Sequence, residues 1–158
     1  MLSQFPARRC NSLRGRRVLV IEDEMLVAML IEDNLLSAGA STLGPKATLE
    51  DALQAVRDPG MGMLDAAVLD LNLNGAMSWP VAEVLIERGI PFVIATGYCD
   101  GRTMAGCNAP VLLKPFDGAA LVKALADLLQ PTSIGIGAIR RPGQALAFLR
   151  DGDASLCR

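Results

Sequence analysis

Four short apolar runs in this chain each end on residues able to do chemistry. Val18 to Ile21 is followed by Glu22 and Asp23, and Ala66 to Leu69 by Asp70. Phe92 to Ala95 is followed by Thr96, and Val111 to Leu113 by Lys114 and then Pro115. If the runs are neighbouring strands of one parallel sheet, these residues share the edge where open α/β sheets bind ligands. Three carboxylates, a hydroxyl and an ammonium then converge. Carboxylates packed together repel and raise one another's pKa. A hard divalent cation, Mg²⁺ or Mn²⁺, relieves that conflict because it favours oxygen ligands. With Lys114 beside it, the pocket suits a phosphoryl group whose oxygens meet metal, hydroxyl and ammonium. Asp70 is then the carboxylate placed to act as nucleophile and form an acyl phosphate.

The elements that position these residues are legible in the hydrophobic pattern. The four runs are short and apolar on both faces, as buried parallel strands are, and a weaker run lies at Ala40 to Leu43. Val27, Leu30, Ile31 and Leu35 fall at helical spacing, with Gly39 as the stop. Thr48 with Asp51 three residues later resembles a capping box, and Leu49, Ala52, Leu53 and Val56 share one face of the helix it opens. Pro59-Gly60 ends that helix. Val81, Val84 and Leu85 mark a third helix, ended by Gly89. Residues 99–107 hold a short fourth. Asp117 caps a fifth, with Leu121, Leu125, Leu128 and Leu129 inward and Pro131 closing it. The order βαβαβαβαβα implies an α/β fold, a doubly wound five-stranded parallel sheet of flavodoxin-like form.

Composition narrows the function. Residues 1–17 carry five Arg and no acid, whereas residues 18–130 carry six bases against fifteen acids. An acidic body argues against direct nucleic-acid binding and fits a domain that gathers carboxylates around a cation. The chain has no histidine and its four cysteines (Cys10, Cys99, Cys107, Cys157) form no CxxC pair, so a zinc site is not expected. Reduced thiols in the cytoplasm are the plain reading. No apolar run reaches the ~18 residues that would span a bilayer, so no membrane role is expected. Lacking histidine, the chain cannot itself carry phosphohistidine, but it can accept from one.

Taken together the motifs resemble the receiver domain of two-component response regulators. The matching pieces are Val18-Leu19-Val20-Ile21-Glu22-Asp23-Glu24, Val68-Leu69-Asp70-Leu71-Asn72, Ala95-Thr96-Gly97-Tyr98 and Lys114-Pro115-Phe116, in the family's order and spacing. The resemblance covers about residues 16–130. It implies that Asp70 is the phosphoacceptor and that Asp23, Asp70 and the backbone carbonyl of Asn72 bind Mg²⁺, with Glu22 acting through a water. It further implies that Thr96 bonds a phosphoryl oxygen, that Lys114 pairs with the phosphoryl group, and that the Lys114-Pro115 bond is often cis. Asn72 and Tyr98 sit where receivers tune the access of hydrolytic water. A narrower likeness is to stand-alone receivers nicknamed FAT GUY, carried by Pro91-Phe92-Val93-Ile94-Ala95-Thr96-Gly97-Tyr98. That group typically lacks an output domain and often works with sensor histidine kinases of the HWE or HisKA_2 type. Two departures stand out. Ile94 replaces the group's Phe, and Val111 occupies the place of the aromatic switch residue of many receivers, with Tyr98 as its substitute.

The expectation is therefore a basic leader over residues 1–15, a receiver domain over 16–130, and a mostly flexible tail over 131–158. The chain acts as a phosphoacceptor signalling protein rather than a turnover enzyme. Two alternatives compete: a receiver-like module that binds without phosphorylation, and a phosphatase of the haloacid-dehalogenase type. The second places its nucleophile at the first strand in an Asp-x-Asp motif. Here the nucleophile follows the third strand and position 72 is Asn. A flavodoxin is poorer still, because acids after the first strand repel a flavin phosphate.

Overall fold

The computed structural model describes residues 12–97 and 108–130. The expected helix over 99–107, Tyr98, all four cysteines and the 131–158 tail lie outside the described residues. So do residues 1–11 of the expected leader.

Five strands form one parallel sheet. They are β1 (Arg17–Ile21), β2 (Ser41–Lys46), β3 (Ala66–Leu69), β6 (Phe92–Thr96) and β7 (Val111–Leu113), in spatial order β2-β1-β3-β6-β7. The intervening β4 (Asn72–Leu73) and β5 (Ala76–Met77) form a separate antiparallel hairpin. Four α-helices are described: α1 (Met25–Ser37), α2 (Leu49–Arg57), α3 (Trp79–Glu87) and α4 (Gly118–Leu129). The expected five-stranded, doubly wound parallel sheet is thus the fold.

Successive side chains of a strand face opposite ways, and here both faces are covered. Leu19, Ile21, Ala67, Leu69, Phe92 and Ile94 pack with α2 and α3, for example against Ala52, Val56, Val81 and Leu85. Val18, Val20, Ala66, Val68, Val93 and Ala95 pack with α1 and α4 against Ile31, Leu35, Leu121 and Leu125. That second core also takes in Leu13, which is fully buried and whose N–H donates to the Ala38 carbonyl. The packed unit therefore reaches back before residue 16, because Leu13 closes the end of α1.

The caps were legible. Thr48 Oγ1 accepts the Asp51 N–H at 3.1 Å as the N-cap and donates to Asp51 Oδ2 at 2.8 Å, so the Asp51 carboxylate meets the Thr48 hydroxyl and not its backbone N–H, the partner in a full capping box. Asp117 Oδ1 accepts the Ala119 N–H at the start of α4. Gly39, at φ +89°, ends α1 as the Ala40 N–H returns to the Leu35 carbonyl.

The buried face of α1 departs from the helical spacing at one residue. Leu30 is about half exposed, and the face of α1 that meets the sheet carries Ala28, Ile31 and Leu35. Met25, Leu26, Met29 and Leu36 are exposed as well. A helix that is apolar nearly all round has no pattern from which to read its buried face.

β2 also runs further than Leu43, through Gly44 and Pro45 to Lys46. A Cβ on Gly44 would sit 2.5 Å from the Val20 carbonyl oxygen, so only glycine allows this approach of β2 to β1. The Gly44-Pro45 and Lys114-Pro115 bonds are both cis.

Candidate phosphoryl and metal site

The sheet's hydrogen-bond ladder continues one residue past each strand and so fixes the residues that follow. Glu22 N–H donates to the Lys46 carbonyl, Asp70 N–H to the Ile21 carbonyl, and Lys114 N–H to the Thr96 carbonyl. The backbones of Glu22, Asp70, Thr96 and Lys114 are thereby locked along one edge. Side chains carried on a rigid ladder lose little entropy on meeting.

At that edge the expected residues converge. Glu22, Asp23 and Asp70 bring carboxylate oxygens within 4.8 Å of one another. Lys114 Nζ lies 2.6 Å from Asp70 Oδ2 and 2.7 Å from Glu22 Oε2, with Glu24 Oε1 at 4.0 Å. Glu22 and Asp70 are buried, at 1% and 5% exposure, and Asp23 is half-buried at the rim. Thr96 is buried at the end of β6.

Burial pushes the Glu22 carboxyl above its usual range, as does the Asp70 charge. The Lys114 ammonium and the Glu24 N–H pull it back only in part. Burial by itself would lower Lys114, but its hydrogen bonds and charge attraction to Asp70 and Glu22 outweigh that and raise it. One ammonium thus faces three carboxylates, and the cluster is left with a deficit of positive charge. Glu22 Oε2 is buried and has no donor beyond the lysine among the described residues.

A divalent cation fits this donor set. The ligands are hard oxygens, and a single ammonium is all that offsets three carboxylates. Asp23, Asp70 and Glu22 are the side chains that would hold it. The backbone of Asn72 adds a fourth group. Ser78 N–H donates to the Leu71 carbonyl, and Asn72 pairs with Met77 and Leu73 with Ala76. In an antiparallel ladder hydrogen-bonded and non-hydrogen-bonded pairs alternate. Asn72 therefore belongs to a non-hydrogen-bonded pair, and its N–H and C=O point away from β5. Its N–H donates to Asp70 Oδ1 at 3.1 Å.

Three contributors were not foreseen. Ser78 is fully buried and its hydroxyl donates to the Asp70 carbonyl, holding the peptide that carries the Asp70 side chain. Asn74 N–H donates to Asp23 Oδ2 at 2.9 Å, and Glu24 N–H to Glu22 Oε1 at 3.1 Å. The Asn74-Gly75 dipeptide signals a two-residue hairpin and could have revealed the second of these. Ser78, two residues before Pro80, reads as the start of a helix, but nothing in the sequence marks its bond to Asp70.

No family profile and no curated protein sequence matches the chain. Solved structures do. The chain is similar to SdrG from Sphingomonas melonis Fr1, with 43% identity over 73% of this chain and 97% of that one, at a TM-score of 0.62. It is similar to the response regulator PhyR from Brucella abortus, with 28% identity over 73% of this chain and 48% of that one, at 0.59. The fold also matches a response regulator receiver protein from Sinorhizobium medicae WSM419, at 24% identity, 72% and 94% coverage, and 0.64. Among the described residues no helix is long and apolar enough to cross a membrane.

Proposed function

The chain belongs to the receiver family of response regulators, and from that premise we propose that it accepts a phosphoryl group from a histidine kinase onto Asp70 in a Mg²⁺-dependent reaction. The observation that carries this reading is the Lys114 ammonium bridging Asp70 and Glu22 inside a three-carboxylate cluster. That is a nucleophilic carboxylate supplied with a fixed cation and with room in charge for a second, mobile one.

In this reading an oxygen of Asp70 attacks the phosphorus of the donor phosphohistidine. The new O–P bond forms as the N–P bond breaks, and the imidazole keeps the electron pair and takes up a proton. Bound Mg²⁺ (or Mn²⁺) supplies charge neutralisation for the phosphoryl oxygens. Asp23, Asp70, Glu22 through a water, and the Asn72 carbonyl would hold it. Lys114 pairs with the phosphoryl group and Thr96 bonds one of its oxygens. Phosphorylation adds roughly −1.5 to −2 charge, which draws Thr96 and the loops beyond β6 and β7 toward Asp70 and alters the surface offered to a partner. Tyr98 stands in for the aromatic missing at Val111.

The protein works in the cytoplasm, through protein contacts rather than by turnover of a substrate. It sits among the FAT GUY receivers and takes its phosphoryl group from an HWE or HisKA_2 kinase. A phosphatase of the haloacid-dehalogenase type has no support in the sheet order, since Asp70 leaves the central strand β3 and not β1.

The test is phosphotransfer from an autophosphorylated kinase of the HWE type. Label should pass to the wild type and not to Asp70→Asn. Equal labelling of both, or transfer undiminished in EDTA, overturns the reading.

A further inference from the structure

The β4–β5 hairpin has no part in the parallel sheet, yet it is tied to the site at two points and to the loop after β2 at a third. Asn72 N–H holds Asp70 Oδ1 and Asn74 N–H holds Asp23 Oδ2. The Asn74 amide group reaches across to the Ala47 carbonyl, in the loop between β2 and α2, at 3.3 Å. The two backbone donors are two residues apart, and in extended chain such N–H groups face the same way. One edge of β4 therefore grips one oxygen from each of two carboxylates carried on different strands. The turn that keeps this edge in place is Asn74-Gly75, both left-handed at φ +52° and +89°, as a type I′ hairpin requires. Asn74 is the one non-glycine with positive φ among the described residues. Asn72 Oδ1 accepts the Gly75 N–H at 2.7 Å and closes the turn from inside.

We propose that this hairpin is a splint for the cation site, and that its left-handed Asn74-Gly75 turn, by holding the Asn74 backbone N–H on Asp23, sets divalent-cation affinity without touching the ion. Asp23 is only half-buried and sits at the start of a loop. Among the described residues the Asn74 N–H is its one hydrogen bond given by a separate element. The splint fixes the Asp23 rotamer and its spacing from Asp70 before the ion arrives, and it aims the Asn72 carbonyl at the same point. A preorganised site spends less of its binding energy on ordering its ligands. The inference rests on the cation reading given above and extends it.

The position allows a clean perturbation. A Cβ on Gly75 would meet nothing within 4 Å, so a side chain there acts only through the backbone angle. Gly75→Val disfavours the left-handed turn, whereas Gly75→Asn tolerates it. Asn74→Gly keeps both the turn and the backbone N–H. Mg²⁺ binding to each purified full-length variant is measured by isothermal titration calorimetry, beside melting in EDTA. We expect Gly75→Val to raise the Mg²⁺ Kd about tenfold, equivalent to about 1.4 kcal/mol. Gly75→Asn and Asn74→Gly should stay within about twofold of wild type, although Asn74→Gly loses the bond to Ala47. Should Gly75→Val not fold, Gly75→Ala carries the same test with an expected rise of about threefold.

A Gly75→Val protein that binds Mg²⁺ like wild type overturns the splint and leaves the cation site standing. So does a Gly75→Asn protein as weak as Gly75→Val. Wild type that binds no Mg²⁺ overturns both.

Discussion

Replacing Lys114 with Met keeps most of the aliphatic stem and removes the charge, so it isolates the electrostatic role of the site. The ammonium contacts two buried carboxylates at 2.6 and 2.7 Å, and its side chain is 13% exposed. Deleting one partner of a buried ion pair costs about 3–5 kcal/mol, because the remaining charges stay desolvated. The partial exposure of Asp23 at the rim argues for the lower end, about 3 kcal/mol. At about 4 °C per kcal/mol for a domain of this size, the melting temperature in EDTA at pH 7 should drop by about 12 °C.

Two controls sharpen the reasoning. Saturating Mg²⁺ should recover much of the loss, since a divalent ion answers the same three carboxylates, and the Mg²⁺-induced rise should exceed that of wild type. Acidification should shrink the difference between Lys114→Met and wild type, because Glu22 with its raised pKa takes up a proton early and loses its demand for a cation. Thermal melts followed by circular dichroism, with EDTA or Mg²⁺ and across pH, read all three effects. A Lys114→Met protein melting within about 2 °C of wild type in EDTA would refute the idea that this lysine neutralises a strained cluster.

Four other outcomes follow from the structure. Glu22 binds a proton more readily in the folded chain than at its ordinary value near 4.5. In EDTA the wild type should therefore lose stability as pH rises from that value through the raised one, and Glu22→Gln should flatten this decline while weakening Mg²⁺ binding in calorimetry. The stabilising share of Lys114, whose pKa is raised, is present below the ordinary lysine range and disappears as pH rises through the higher folded value. Gly44→Ala should cost about 2–3 kcal/mol in urea unfolding, since its Cβ would collide with the Val20 carbonyl at a φ of +112°. Thr48→Ala should cost about 1 kcal/mol in the same assay through loss of the α2 cap.

Most of the sheet and the site could be read from the chain. The strands β1, β3 and β6 are short apolar runs with a reactive residue at the end, and that pattern survives because both faces of each strand are buried. Thr48 and Asp117 announce their helices by the local chemistry of capping. The helix α1 is legible as a helix, but its buried face is not, since its apolar residues cover almost every side and Leu30 stays exposed. β2 was cut short at Leu43 because Gly44-Pro45 reads as a break, while tertiary contact with Val20 carries the strand on.

The hairpin carries a type I′ signal in Asn74-Gly75, but with two residues per strand it shows no period of its own. Ser78 acts by burying a hydroxyl under the Asp70 peptide, a contact 8 residues away that no local pattern encodes. The carboxylates, Thr96 and Lys114 were legible for the opposite reason. Groups that repel one another or require a partner are expected together only where something compensates them.

The most direct measurement is to incubate the protein with a small phosphodonor and Mg²⁺, then map the acid-stable, base-labile phosphate by peptide mass analysis. Label confined to Asp70, absent from Asp70→Asn and suppressed by EDTA, is the predicted result. Label on another residue, or none on folded protein with Mg²⁺ and a range of donors, would contradict it.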